Sequence, residues 1–175
     1  MKLIIGLGNP GTKFKNTRHN AGIWIIENWC ENQKLTAFSQ KKKLEAKILK
    51  NPQFIIALSQ TFMNESGRMV KKVMREFQIA PQNLLLVHDD SDLMVGTFKL
   101  QYDRGSAGHN GVASVIQALK SQEFSRLRIG IRPLISDHRP KAENFVLKRF
   151  NSAEIAKLNS LIPEIDKNIK EWLLS

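Results

Sequence analysis

The chain has one cysteine, Cys30, which excludes an internal disulfide and any multi-cysteine metal site. Its place in an apolar helical pattern predicts a buried thiol. Prolines number 6 and glycines 10, too few for a disordered or fibrous chain, and 42% of the residues are hydrophobic, as expected of a packed core. No apolar run approaches the ~18 residues that a membrane span requires. The first apolar run is cut short by Asn9-Pro10-Gly11, so the N-terminus does not read as a signal peptide. A cytoplasmic protein with no membrane partner is expected. Acidic residues are scarce, 16 against 27 Lys and Arg, and the net charge of +11 favours a polyanionic partner. Aromatics make up only 7%, so contacts to backbone and shape are expected over base stacking.

The 175 residues suit one domain spanning 1–175. Strand-like runs lie at Lys2–Ile5, Ala46–Leu49, Phe54–Leu58, Leu84–His88, Thr97–Leu100 and Leu127–Ile131. Several are continuously apolar, the pattern of strands covered on both faces. Asn51-Pro52-Gln53 predicts a hairpin between the second and third. Helical stripes run through Ala21–Glu31, Ser66–Gln78 and Val112–Leu119. A C-terminal stripe from Ile155 to Trp172 contains Pro163, which predicts two consecutive helices with the second starting there. The alternation predicts an α/β fold with a central mixed, mostly parallel sheet flanked by helices. In such folds ligands gather at the carboxyl ends of strands.

Chemistry-bearing motifs cluster at those ends. Gly6-x-Gly8-x-x-Gly11 follows a strand as a dinucleotide fingerprint does. A nucleotide cofactor would need a helix opening onto the phosphates, whereas Pro10 interrupts the motif and no amphipathic stripe covers 12–18. A glycine turn that sets the amide of Asn9 in a cleft is the other reading. His19, one of four histidines with His88, His109 and His138, ends a basic loop just before a helix. No GxSxG elbow, CxxC or HExxH offers a competing nucleophile or base. The strand ending His88-Asp89-Asp90-Ser91-Asp92 can bind a divalent metal, orient a histidine or form a solvated turn. Gly105-Ser106-Ala107-Gly108-His109-Asn110-Gly111 leads into a helix whose free amides suit an anion. Thr61-Phe62-Met63-Asn64-Glu65-Ser66-Gly67 precedes another helix, with Asn64 either a plain N-cap or a wall amide.

Taken in order, GLGNPG, TRHNAG, TFMNESG, HDDSDL, GSAGHNG and RLRIGI resemble the successive motifs of bacterial-type peptidyl-tRNA hydrolases, from about residue 3 to residue 132. The resemblance implies a metal-free, cofactor-free monomer that cleaves the ester joining a peptide to the terminal ribose of tRNA and so recycles stalled peptidyl-tRNA. It implies His19 as the general base, Asp89 as its orienting carboxylate and Asn9 as a site amide. Asn64, Asn110, Phe62, Met63, Phe14 and His109 would contact substrate, and Lys99 and Arg128 would hold tRNA phosphate. Gln101 stands where the family often has a second basic residue, and Phe14 where an aromatic hydroxyl often occurs. A metal-dependent nuclease or phosphodiesterase built on Asp89, Asp90, Asp92 and His19, and a non-catalytic RNA-binding protein, are the alternative readings.

Overall fold

The computed structural model describes residues 1–133 and 141–175. His138 therefore lies outside the described residues. Seven strands form one mixed sheet: β1 (Lys2–Gly6), β2 (Ser39–Lys41), β3 (Ala46–Lys50), β4 (Phe54–Ser59), β5 (Leu84–Met94), β6 (Phe98–Tyr102) and β7 (Ser125–Arg132). Their spatial order is β2-β3-β4-β1-β5-β7-β6. The centre, β4-β1-β5-β7, is parallel, and antiparallel pairs close both edges. Four α-helices flank it: α1 (Ala21–Asn32), α2 (Ser66–Glu76), α3 (Asn110–Leu119) and α4 (Ser152–Leu174). The expected mixed α/β architecture is the one observed.

Strand alternation divides the core in two. Ile4, Ile56, Leu85, Val87, Leu127 and Ile129 face α1 and α4. Leu3, Ile5, Ile55, Leu84 and Leu86 face α2 and α3. With helices on both faces, the central strands must be apolar on both, which explains their unbroken hydrophobic runs. The predicted hairpin is β3–β4, its turn closed where the Gln53 N–H donates to Asn51 Oδ1 at 3.0 Å.

The structure corrects one expectation, adds a strand and decides between two pairs of open readings. The C-terminal region is one helix, α4, with Pro163 inside it. Pro163 is exposed, as is Asn159, so the carbonyl that the missing N–H would have satisfied faces water, while Leu158, Ile162, Ile165, Ile169 and Trp172 keep an unbroken buried stripe. The edge strand β2 carried no hydrophobic signal because all three of its residues are exposed. β5 runs on to Met94, so Asp89 and Asp90 lie in a buried strand and not in a solvated turn. Asn64 is not an N-cap: α2 begins at Ser66 with Glu65 in the cap position and no side-chain cap bond.

The start of α4 locks the loop that carries His19. Asn151 and Glu154 form a reciprocal capping box, with each backbone N–H donating to the other side chain at 2.9 Å. Glu154 also accepts both bonds from Arg18 Nη2 at 2.7 Å, and the pair is almost wholly buried. The backbone of Arg18 and His19 donates to Lys148 and Val146 in the same region. Removing one partner of a buried pair strands the other charge. Glu154→Gln is expected to cost about 3 kcal/mol of stability, measured by denaturant unfolding.

Candidate functional site

A three-residue 3₁₀ turn, Arg18–Asn20, delivers His19 to the carboxyl ends of β1 and β5. Asn20 fixes this turn to the glycine loop: its side chain accepts from the Asn9 N–H and donates to the Asn9 carbonyl, both at 2.9 Å. Gly22 has no room for a side chain, because a Cβ would stand 2.2 Å from the Val87 carbonyl oxygen. Helix α1 can therefore start directly against β5, which sets His19 beside Asp89.

Asp89 is 2% exposed and accepts from two imidazoles. His19 Nδ1 lies 2.9 Å from Oδ2 and 3.0 Å from Oδ1, and His109 Nε2 lies 2.7 Å from Oδ1. The tautomers follow from the surroundings. The Gly111 and Val112 N–H groups donate to His109 Nδ1 at 3.0 and 3.2 Å, capping α3. That nitrogen is an acceptor, so the proton of neutral His109 sits on Nε2 and points at Asp89. His19 likewise donates from Nδ1 to the carboxylate, leaving Nε2 as a free base.

Burial alone would lower the His19 pKa, but the charge and hydrogen bonding of Asp89 outweigh it and raise it above the ordinary 6.5. Asp89 shows the reverse balance. Burial opposes its charge, yet His109 and His19 hold it well below the usual carboxylate range. His88, fully buried, donates from Nδ1 to the Asp89 carbonyl at 2.7 Å and meets the His109 ring edge-on at 4.8 Å. Burial keeps it neutral, with its pKa well below the ordinary value.

The ligand atoms of His19, Asp89 and His109 lie within 4.8 Å of one another, the spacing of a metal site. The proton placement does not suit one. A metal-bound histidine donates its second N–H to an acceptor. His109 Nδ1 instead faces two N–H donors, so Nε2 cannot offer a lone pair. The other carboxylates of the cluster are divided as well. Alternation along β5 turns Asp90 to the opposite face, where it accepts from Arg128 Nε at 2.6 Å and from the Asp92 N–H at 2.8 Å.

A cleft of about 740 Å³ opens over the cluster, lined by His19, Asp89, His109 and Asn110 and walled by Val146 and Leu147. Residues 3–175 match the family model of peptidyl-tRNA hydrolase. The peptidyl-tRNA hydrolase of Dichelobacter nodosus is 39% identical, covering 100% of this chain and 99% of its own length. That of Metamycoplasma arthritidis is 37% identical over 93% of this chain and 86% of its own. The crystal structure of peptidyl-tRNA hydrolase from Acinetobacter baumannii superposes with a TM-score of 0.87 at 31% identity, covering 99% of this chain and 89% of that one. The chain belongs to the peptidyl-tRNA hydrolase family.

Within this peptidyl-tRNA hydrolase fold, the residues singled out from sequence fall into three places. His19, Asp89, His109 and Asn110 share the main cleft. Asn9 lines a neighbouring cavity of about 300 Å³ with Asn20, Trp24 and Glu27. Its Oδ1 accepts from the Met63 N–H at 2.8 Å, tying GLGNPG to TFMNESG. Met63 itself is buried, and its sulfur would lie 2.4 Å from a Cβ at position 111, so only Gly111 lets α3 approach. Asn64 and Phe62 are exposed, and Phe62 meets Phe14 edge-on at 6.2 Å between centroids. Lys99 and Arg128 stand opposite each other on β6 and β7.

The glycine fingerprint holds no helix start: two 3₁₀ turns separate Gly11 from α1. Among the described residues, no helix is long and apolar enough to cross a membrane. Cys30 is buried, and its thiol is pushed up to about 12 by burial and then by Glu27 and Glu31. Two residues that organise the site were missing from the sequence reading. Glu154 was legible, because Asn151-x-x-Glu154 before an apolar stripe is a capping signature. Asn20 was not, since nothing in TRHNAG says which loop its amide pairs with.

Proposed function

We propose that this chain hydrolyses the ester between peptide and tRNA in peptidyl-tRNA, with water activated by His19. The carrying observation is the Asp89-centred pair of imidazoles, in which backbone amides set the tautomer of His109 and Asp89 sets that of His19. His19 Nε2 takes a proton from water as the oxygen attacks the acyl carbon. Asp89 stabilises the imidazolium that forms. When the tetrahedral intermediate collapses, the bond to the ribose oxygen breaks and His19 returns the proton to that oxygen. An ester has a good leaving group, so an imidazole titrating near neutrality suffices without a covalent nucleophile.

Neutral amides suit the developing oxyanion, because they donate without adding negative charge beside RNA phosphates. With its Oδ1 occupied by Met63, Asn9 keeps both Nδ2 protons for the substrate. Asn110, the first residue of α3, is exposed on the main cleft, and Asn64 is exposed ahead of α2. These two amides would position the peptide and the 3′ terminus, and Phe62 with Phe14 would offer the peptide an apolar wall backed by Met63. His109 serves the site through Asp89 and the cap of α3, a more indirect part than substrate contact. Lys99 and Arg128 would take a phosphate of the acceptor stem. The protein would work as a cytoplasmic monomer with residues 1–175 as one domain.

The test is release of tRNA from N-acetyl-aminoacyl-tRNA, run beside the unblocked aminoacyl-tRNA, with and without EDTA. Cleavage of the blocked substrate at an unchanged rate in chelator is expected, since each member of the cluster already has a partner other than metal. Abolition by EDTA would restore the metal-dependent reading, and tRNA binding without turnover would leave an RNA-binding protein. Discrimination against the free amine is expected where a site amide pairs with a peptide carbonyl that the unblocked substrate lacks.

A further inference from the structure

His19 lines the main cleft, whereas Asn9, whose Nδ2 protons are kept for substrate, lines the neighbouring cavity of about 300 Å³. A substrate that meets both residues reaches into both spaces. The sheet gives the two spaces a direction. From His19 and Asp89 the main cleft extends past Asp90 and Ser91 to residues 106–110, the side on which β7 and β6 carry Arg128 and Lys99. The second cavity lies on the other side of β1, where Gln60 follows β4 and Lys47 stands on β3. With the ester at His19 and the tRNA toward β6, the peptide leaves toward β3.

The walls of that cavity carry charge around an indole. Trp24 and Glu27 lie three residues apart on α1 and share one side of the helix. Lys47 shares a face of β3 with Leu49, which packs into the core under α1 and α4. Lys15, between the two 3₁₀ turns, is exposed, and Trp24, Glu27 and Lys47 are half-buried. Burial raises the Glu27 pKa overall, while Lys47 and then Lys15 oppose the rise, so the three charges act on one another across this space. Two ammonium groups against one carboxylate leave the cavity positive.

We propose that this cavity receives the second and third peptide residues counted from the ester, and that Lys15 and Lys47 make it favour acidic over basic side chains there. The inference rests on the hydrolase reading, with tRNA toward Lys99 and Arg128, and deepens it by naming the peptide that the site prefers. Neighbouring strands lie ~4.8 Å apart, so β3 is about 10 Å from β1, a span that an extended peptide advancing ~3.4 Å per residue covers in about three residues. The esterified residue stays beside His19, and those before it pass Asn9 into the cavity. Trp24 covers the aliphatic stem of a long side chain of either sign, which leaves the charge at its tip to Lys15, Lys47 and Glu27.

The experiment measures KM for one tRNA esterified with N-acetyl-Xaa-Xaa-Ala, where both Xaa are Glu, Ala or Lys. N-acetyl-alanyl-tRNA, too short to reach the cavity, is the reference, and contacts to the RNA cancel. The wild type is expected to favour the Glu peptide over the Lys peptide by about tenfold in KM, the scale of two partly exposed ion pairs. Lys15→Met and Lys47→Met are each expected to reduce that preference by about threefold and the double variant to abolish it, while Glu27→Gln increases it. A purely structural effect would move all the substrates together. Lys71→Met removes an equal charge from the exposed side of α2 and is expected to leave the preference intact. Equal KM values for the three peptides would overturn the charged subsite and leave the hydrolase standing. A preference that survives in the double variant, or that Lys71→Met lowers as much, would overturn its assignment to this cavity. No cleavage of any substrate would overturn the hydrolase reading and the inference with it.

Discussion

His19→Ala is expected to lower kcat on N-acetyl-aminoacyl-tRNA by about 10³-fold, the contribution of a well-placed general base. Among the described histidines that line the cleft, His19 is the one with an uncommitted ring nitrogen. His109 spends its Nδ1 on the cap of α3, and His88 is buried behind it. Neither can take over the proton. The fold should survive, because the Ala21 end of α1 is held by backbone bonds and by the Arg18–Glu154 pair, none of which uses the His19 ring. tRNA affinity should survive as well, since the basic face on β6 and β7 lies away from His19. Single-turnover kinetics beside a tRNA-binding titration checks both parts. Near-normal turnover would remove His19 from the mechanism.

Asp89→Asn is expected to cost about 10²-fold or more in kcat by placing the His19 proton on the wrong nitrogen. At their shortest contacts the two imidazoles donate to different oxygens of the aspartate, and a carboxylate accepts on both oxygens whereas a carboxamide does not. His109 has no choice of tautomer, since two backbone amides already donate to its Nδ1. It therefore claims the carbonyl oxygen of the new asparagine. The NH₂ group is then left facing His19 Nδ1, which must accept, and the proton moves to Nε2, where a lone pair was needed. Asp89→Ala would leave His19 free to choose its tautomer. It is expected to retain more activity than Asp89→Asn, a ranking that steady-state kinetics on the two variants decides.

Much of this was legible in the sequence, for identifiable reasons. The buried central strands advertised themselves through unbroken apolar runs such as Leu84–Val87, and the β3–β4 hairpin through Asn51-Pro52. The edge strand β2 did not, because Ser39, Gln40 and Lys41 bury nothing. Pro163 was misleading. A proline interrupts a helix only where the freed carbonyl lacks another partner, and the exposure of this turn depends on which side of α4 meets the sheet. At the site, His19, Asp89 and His109 were each recognisable as chemistry-bearing residues. That both histidines converge on one carboxylate was not, since 70 and 20 residues separate them from Asp89 along the chain. The second role of His109 is local and could have been read: a histidine just before a helical stripe can cap it through a ring nitrogen.

The most direct test is the pH dependence of kcat/KM on N-acetyl-aminoacyl-tRNA for the wild type and Asp89→Asn. The base must be neutral, so activity is lost as the pH falls through the His19 pKa. Asp89 raises that pKa above the ordinary 6.5, against burial, which lowers it. The wild-type acid limb is therefore expected above 6.5. In Asp89→Asn burial acts unopposed, and the limb of the residual activity should move below that value. A wild-type profile without an acid limb, or one whose limb stays in place when Asp89 is neutralised, would contradict the account of His19 as a base held and tuned by Asp89.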